Sequence, residues 1–102
     1  MIKHVVCWTF ADTAEGRDKS ENVDLVCAAL SRCATLPGVT GFRLIRPQEG
    51  LEASFDLMLE SEFTDVDALR AYATHPLHVE AGALIAKTRT GRWAMDFDPD
   101  AG

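Results

Sequence analysis

Four strand-like runs and two regions of helical periodicity follow the order β-α-β-β-α-β. That order predicts an α+β domain with one antiparallel four-stranded sheet and helices on one face, the ferredoxin-like or split βαβ arrangement. Three observations carry it. An opening run alternates with a period of two, one apolar stripe of helical spacing follows it, and a proline divides the second helical region.

Residues 2–10 place His4, Val6, Trp8 and Phe10 on one side and Val5 and Cys7 on the other, a strand largely apolar on both faces. Asp12 and Thr13 suit a helix cap, with Glu15 three residues after Asp12 as a capping-box partner. Inside that helix Val23, Val26, Cys27, Leu30, Cys33 and Ala34 share one stripe, and Pro37-Gly38 ends it. Val39 to Ile45 reads as a second strand, stopped by Pro47 and the loop Gln48-Glu49-Gly50. Phe55 to Phe63 reads as a third. Thr64 with Asp67 forms another capping pair, opening a short helix that turns Val66, Leu69 and Tyr72 inward. Pro76 disfavours helical geometry at His75 and suits the first position of a new helix. The joint therefore falls at His75, with a second helical piece over 76–87. Arg92 to Phe97 closes the sheet.

The chain of 102 residues is the length of one domain, and its formal charge of −6 with scattered Lys and Arg argues against nucleic acid and anionic membrane surfaces. No stretch approaches the ~20 apolar residues of a membrane span. Cys7, Cys27 and Cys33 are odd in number, widely spaced and without a C-x-x-C pair, so a reducing, cytoplasmic setting is expected. Helices on one face leave the other face of an apolar first strand uncovered, and Trp93, Met95 and Phe97 add to it. A patch of that kind marks an interface. Sheet-to-sheet pairing in a two-fold homodimer would bury it.

Chemistry-bearing residues concentrate in Tyr72-Ala73-Thr74-His75-Pro76-Leu77-His78, which holds the single tyrosine and two of the three histidines. If the even positions of the first strand face the helices, His4 looks toward the same region, Val6 and Trp8 extend that wall, and Val26 and Leu30 stand opposite. Gly82, one turn beyond His78, costs a helix ~1 kcal/mol relative to alanine. Its presence implies either close packing of another backbone or open space beside His78. A neutral histidine can take a proton and a tyrosine hydroxyl can stabilise an oxyanion, a pair suited to enolising a carbonyl compound. From spacing alone the plainer interpretation is preferred, in which His75 caps a helix and Tyr72 packs in the core. A metal site built from the three histidines lacks an acidic or cysteine ligand at matching spacing.

The chain resembles the stress-responsive A/B barrel (Dabb) family along nearly its whole length. The resemblance rests on Ile2-Lys3-His4-Val5-Val6, Leu36-Pro37-Gly38-Val39 and Ser61-Glu62-Phe63. It rests most on Ala68-Leu69-Arg70-Ala71-Tyr72 running into His75-Pro76-Leu77-His78-Val79, with Asp96-Phe97 near the close. It implies a single domain over residues 1–102 and subunits that pair through their sheets into a dimeric α/β barrel. The family includes a plant polyketide cyclase, olivetolic acid cyclase, whose type of site uses a histidine base and a tyrosine between sheet and helices. Carried over, His78 becomes the base and Tyr72 its hydrogen-bonding partner. His4 and His75 line the same cavity, and Val79 of the same run joins the lining.

The expected function is that of a dimeric A/B barrel with a small-molecule cavity, a polyketide-cyclase-like or aldol-type enzyme acting on an apolar or carbonyl-containing molecule. One alternative is a non-catalytic stress-response or apolar ligand-binding protein. A second is a haem-degrading or cofactor-independent monooxygenase of related dimeric barrels, which would place an axial histidine near His78. Those barrels tend to carry an asparagine on the first strand, where this chain reads His4-Val5-Val6-Cys7-Trp8. Nothing in the sequence calls for a cofactor.

Overall fold

A computed structural model of the chain describes residues 1–101. Its sheet runs in the order β4-β5-β1-β6, with β1 at Ile2–Phe10, β4 at Val39–Ile45, β5 at Leu57–Phe63 and β6 at Arg89–Phe97. All neighbours are antiparallel. Each βαβ crossover is split by a strand of the other, so β1 is central and paired on both edges. That is the ferredoxin-like fold expected from the element order. No helix among the described residues is long and apolar enough to cross a membrane.

The chain leaves β1 through a two-stranded hairpin, β2 (Thr13–Ala14) and β3 (Arg17–Asp18), before α1 (Lys19–Ser31). This corrects the helix start expected at Asp12 and Thr13. Glu15 and Gly16 both take positive φ, 54° and 73°, the geometry of a tight hairpin turn that a helix cannot accommodate. The capping box belongs to the next Asp-x-x-Glu. The Asp18 carboxylate accepts from the Glu21 N–H at 2.8 Å, and the Glu21 carboxylate accepts from the Asp18 N–H. Fully buried Asn22 ties the hairpin down, donating to the Ala14 and Arg17 carbonyls and accepting from the Arg17 guanidinium. The far end of α1 is also shorter than the stripe implied. Cys33 and Ala34 lie beyond Ser31 in turns whose N–H groups bond three residues back, yet Cys33 remains fully buried.

Smaller shifts have local causes. Strand β5 begins at Leu57 rather than Phe55, because the Asp56 side chain accepts from the Phe10 N–H at 2.8 Å. The cap of α2 (Val66–Thr74) is Asp65, not Thr64, accepting from the Ala68 N–H at 2.8 Å. Val66 consequently sits on the rim, 43% exposed, while Tyr72 is buried. Strand β6 starts three residues earlier than expected, directly at the end of α3 (Pro76–Thr88).

The side of the sheet beneath the helices carries the core. Val6, Trp8 and Phe10 of β1 meet Leu57 and Leu59 of β5, Val23, Val26 and Leu30 of α1, and Ala81 and Ile85 of α3. A second cluster joins Cys33, Phe63 and Tyr72. Each fully buried large side chain of this kind contributes roughly 1.5–3 kcal/mol. The opposite face, by register, presents Val5 and Cys7 between Met58 of β5 and Trp93 and Met95 of β6. Trp93, Met95 and Phe97 are exposed there. The Trp93 ring lies over Gly91, where a β-carbon would come within 2.6 Å of it, and tilts against Phe55 at 5.1 Å between centroids.

Candidate functional site

The site starts from the break between α2 and α3. Pro76 keeps His75 out of helical geometry, and His75 takes φ −63° and ψ 139°. His75 then caps α3, its Nδ1 accepting from the Leu77 N–H at 3.1 Å, with Pro76 in the first turn. In one straight helix, residues six apart would lie about 120° apart around the axis. The break folds His78 back over Tyr72, with ring centroids 4.6 Å apart and planes at 51°. Ala73 sits in the last turn of α2, where carbonyls lack helical partners. The His78 Nδ1–H donates to that carbonyl at 3.0 Å, which leaves Nε2 with its lone pair.

His4 enters from β1 and faces the helices. Directly opposite it in register on β6 is Asp96, whose carboxylate pairs with the His4 Nδ1. A carboxylate accepts, so Nδ1 carries the proton of this bond. The His4 carbonyl accepts from the buried Ser61 hydroxyl at 2.9 Å, fixing the strand at this point. Tyr72 closes the group. It stands 4.8 Å from Phe63 and 6.3 Å from His4 between ring centroids, both edge-on.

Electrostatics sort these groups into roles. Burial pushes the Tyr72 phenol far above its ordinary value, and the nearby Cys33 thiol adds to the effect, so the hydroxyl stays protonated. That hydroxyl is buried and has no hydrogen-bond partner among the described residues. Burial lowers the His78 imidazole below its ordinary 6.5. The bond to Ala73 opposes this, and the charges of His4 and Arg92 push further down. The pair is therefore a protonated donor beside a neutral base.

A recess of about 580 Å³ opens over these residues, lined by His4, Leu69, Tyr72, His78, Arg92 and Asp96 among others. Behind it lies a smaller compartment of about 180 Å³, walled by Val6, Trp8, Leu30, Leu59, Gly82 and Ile85. His4, His78 and Arg92 line both. A β-carbon at Gly82 would meet nothing within 4 Å, so of the two reasons for a glycine there, open space is the one present. Among the described residues no three His, Cys, Asp or Glu side chains converge as metal ligands.

The structure thus brings together Tyr72, His78, His4, Val6, Trp8, Leu30 and Gly82. It does not bring in three others. Val26 is fully buried behind the wall, Val79 points outward at 57% exposure, and His75 is occupied at the cap. Asp96 and Arg92 join the site without having been singled out. Their signal was parity: if Trp93, Met95 and Phe97 face away from the helices, then Arg92 and Asp96 face toward them.

An antiparallel split-βαβ sheet with its helices packed on one face defines the ferredoxin-like class. Within it the chain belongs to the Dabb family, the stress responsive A/B barrel domain, whose family model matches residues 2–99. The chain is 30% identical to a dimeric ferredoxin-like protein of unknown function from Jannaschia sp. CCS1, with 95% of this chain and 97% of that one covered and a TM-score of 0.74. It is 27% identical to another dimeric ferredoxin-like protein of unknown function from Thermobifida fusca, covering 94% and 88% at a TM-score of 0.81. A Dabb family protein from Mesorhizobium loti shares the fold at 22% identity, 96% and 95% coverage and a TM-score of 0.70. No curated protein matches the chain.

Proposed function

We propose that this chain is a homodimeric enzyme that takes a proton from the carbon beside a carbonyl group, with His78 as base and Tyr72 as oxyanion donor. The observation that carries the proposal is the unpartnered, buried Tyr72 hydroxyl beside a neutral His78 whose Nδ1 is already committed to Ala73. A buried hydroxyl without a partner costs ~1–3 kcal/mol, and a ligand oxygen would recover it. In the step, the C–H proton passes to His78 Nε2. The bonding pair moves into the carbonyl, and the resulting enolate oxygen accepts from the Tyr72 O–H. The enolate then either takes the proton back or attacks an electrophilic carbon, which is the chemistry of an aldol-type or polyketide-like cyclisation. His4, held by Asp96, is a second imidazole on the recess wall.

The homodimer reading rests on the exposed Trp93, Met95 and Phe97 on the uncovered sheet face, and on relatives described as dimeric. Three cysteines stand free, which supports a reducing compartment. A second reading, a non-catalytic ligand carrier, is favoured by one detail: the Tyr72 hydroxyl has essentially no exposed surface. Exchange of the central protons of a 1,3-dicarbonyl probe in deuterated water separates the two. An enzyme accelerates the exchange; a carrier raises thermal stability with the same probe and leaves its exchange rate alone.

A further inference from the structure

The compartment behind His78 has a chemical character that the proton-transfer chemistry does not use. Arg89 and Arg92 both line it, and neither forms an ion pair among the described residues. His4 and His78 stand beside them, and none of its lining residues is acidic. Trp8, only 3% exposed, forms part of the wall, and among the described residues its indole N–H is, with the Tyr72 hydroxyl, a buried side-chain polar group without a partner. Arg89, Arg92 and the Trp8 indole are thus cationic or N–H donors without a partner on one wall, in a chain whose formal charge is −6.

We infer that this compartment receives the carboxylate of a small oxo acid, held by Arg89, Arg92 and the Trp8 indole N–H. The inference rests on the proton-transfer reading of His78 and Tyr72 and names its substrate class. A carboxylate accepts at both oxygens, so it can satisfy an arginine fork and the indole N–H together. Size agrees. About 180 Å³ equals the share of about six liquid waters at ~30 Å³ each, room for a head group of a few atoms and not for a long chain. The larger recess takes the remainder of the molecule. Because His4, His78 and Arg92 line both spaces, a molecule reaching from one to the other passes its carbons alongside His78 just outside the carboxylate. An acid with its oxo group close to the carboxylate fits that order.

The test uses acetoacetate and its methyl ester, which differ in the carboxylate, and follows the Trp8 indole N–H resonance, assigned with Trp8→Phe. Acetoacetate is expected to move that resonance and to bind at least ten-fold more tightly than the ester. The double variant Arg89→Gln/Arg92→Gln should lose at least ten-fold in affinity for the acid while binding the ester unchanged. Both arginines are exposed, so the variant retains its fold. Equal binding of acid and ester, an unmoved indole resonance, or no effect of the double variant overturns the inference. Its failure is separable from that of the catalytic reading. Acid bound at the indole without deuterium exchange upholds the anion site and removes the catalysis; ester exchanged as readily as acid does the reverse.

Discussion

His78 and Tyr72 face each other across the break between α2 and α3, ring centroids 4.6 Å apart, with the His78 Nδ1–H bonded to the Ala73 carbonyl at 3.0 Å. The contact exists because Pro76 forces His75 out of the helix. One consequence is a defined tautomer. Nitrogen-15 NMR at neutral pH should find His78 uncharged with its proton on Nδ1. A proton on Nε2, or an imidazolium, contradicts the assignment of base.

The same environment sets a pH dependence. Burial holds His78 below its ordinary 6.5, so in the window beneath that value the unfolded chain binds the proton and the folded chain does not. Stability attached to neutral His78 is therefore full above 6.5 and is lost as pH falls through the lower, folded-state value. Urea titrations of the protein and of His78→Asn should show the protein losing stability relative to the variant on acidification. The acid limb of any rate profile should likewise fall below 6.5.

Tyr72→Phe separates function from packing. It removes a buried hydroxyl that has no partner while keeping the ring against Phe63. Folding stability should be unchanged or higher by up to ~3 kcal/mol in denaturant melts, since no bond is lost. Exchange catalysis should fall by ~10² if the hydroxyl holds the enolate. A variant that is both less stable and fully active would reverse both assignments.

Gly82 gives a test by filling. Gly82→Ala replaces a helical glycine where a β-carbon meets nothing, so it should stabilise the protein by ~1 kcal/mol. Gly82→Leu extends into the compartment shared with Trp8 and should reduce ligand binding at least ten-fold, read by calorimetry with acetoacetate. Unaltered binding would mean that the compartment is not used.

The outer sheet face predicts assembly. Met95 is 69% exposed beside Trp93 and Phe97. Placing an unpaired charge there with Met95→Lys should weaken a sheet-to-sheet dimer by roughly 2 kcal/mol or more, about a 30-fold rise in Kd. Sedimentation should show a dimer for the protein and dissociation for the variant at the same micromolar concentration.

Where local signals agreed, the sequence was sufficient. Ile2–Phe10 and Val39–Ile45 are the strands expected, because alternation, Pro-Gly and Pro47 bound them without competition. Two Asp-x-x-Glu patterns competed for the start of α1, and only the left-handed turn at Glu15 and Gly16 decides between them. The joint at His75 was legible from Pro76 alone. The partnership of His4 with Asp96 was not, since it depends on the register between β1 and β6, two strands separated by most of the chain. Val79 shows the opposite failure. Adjacent in sequence to His78, it points outward because the helix turns it ~100° away.

The central claim is that neutral His78 accepts a proton from a carbon acid, and the most direct measurement compares the protein with His78→Ala. Deuterium exchange into a 1,3-dicarbonyl probe, followed by proton NMR at neutral pH, should be accelerated by the protein and slowed by ~10² or more in the variant, with an unchanged circular dichroism spectrum. Equal exchange rates for two folded proteins would contradict it.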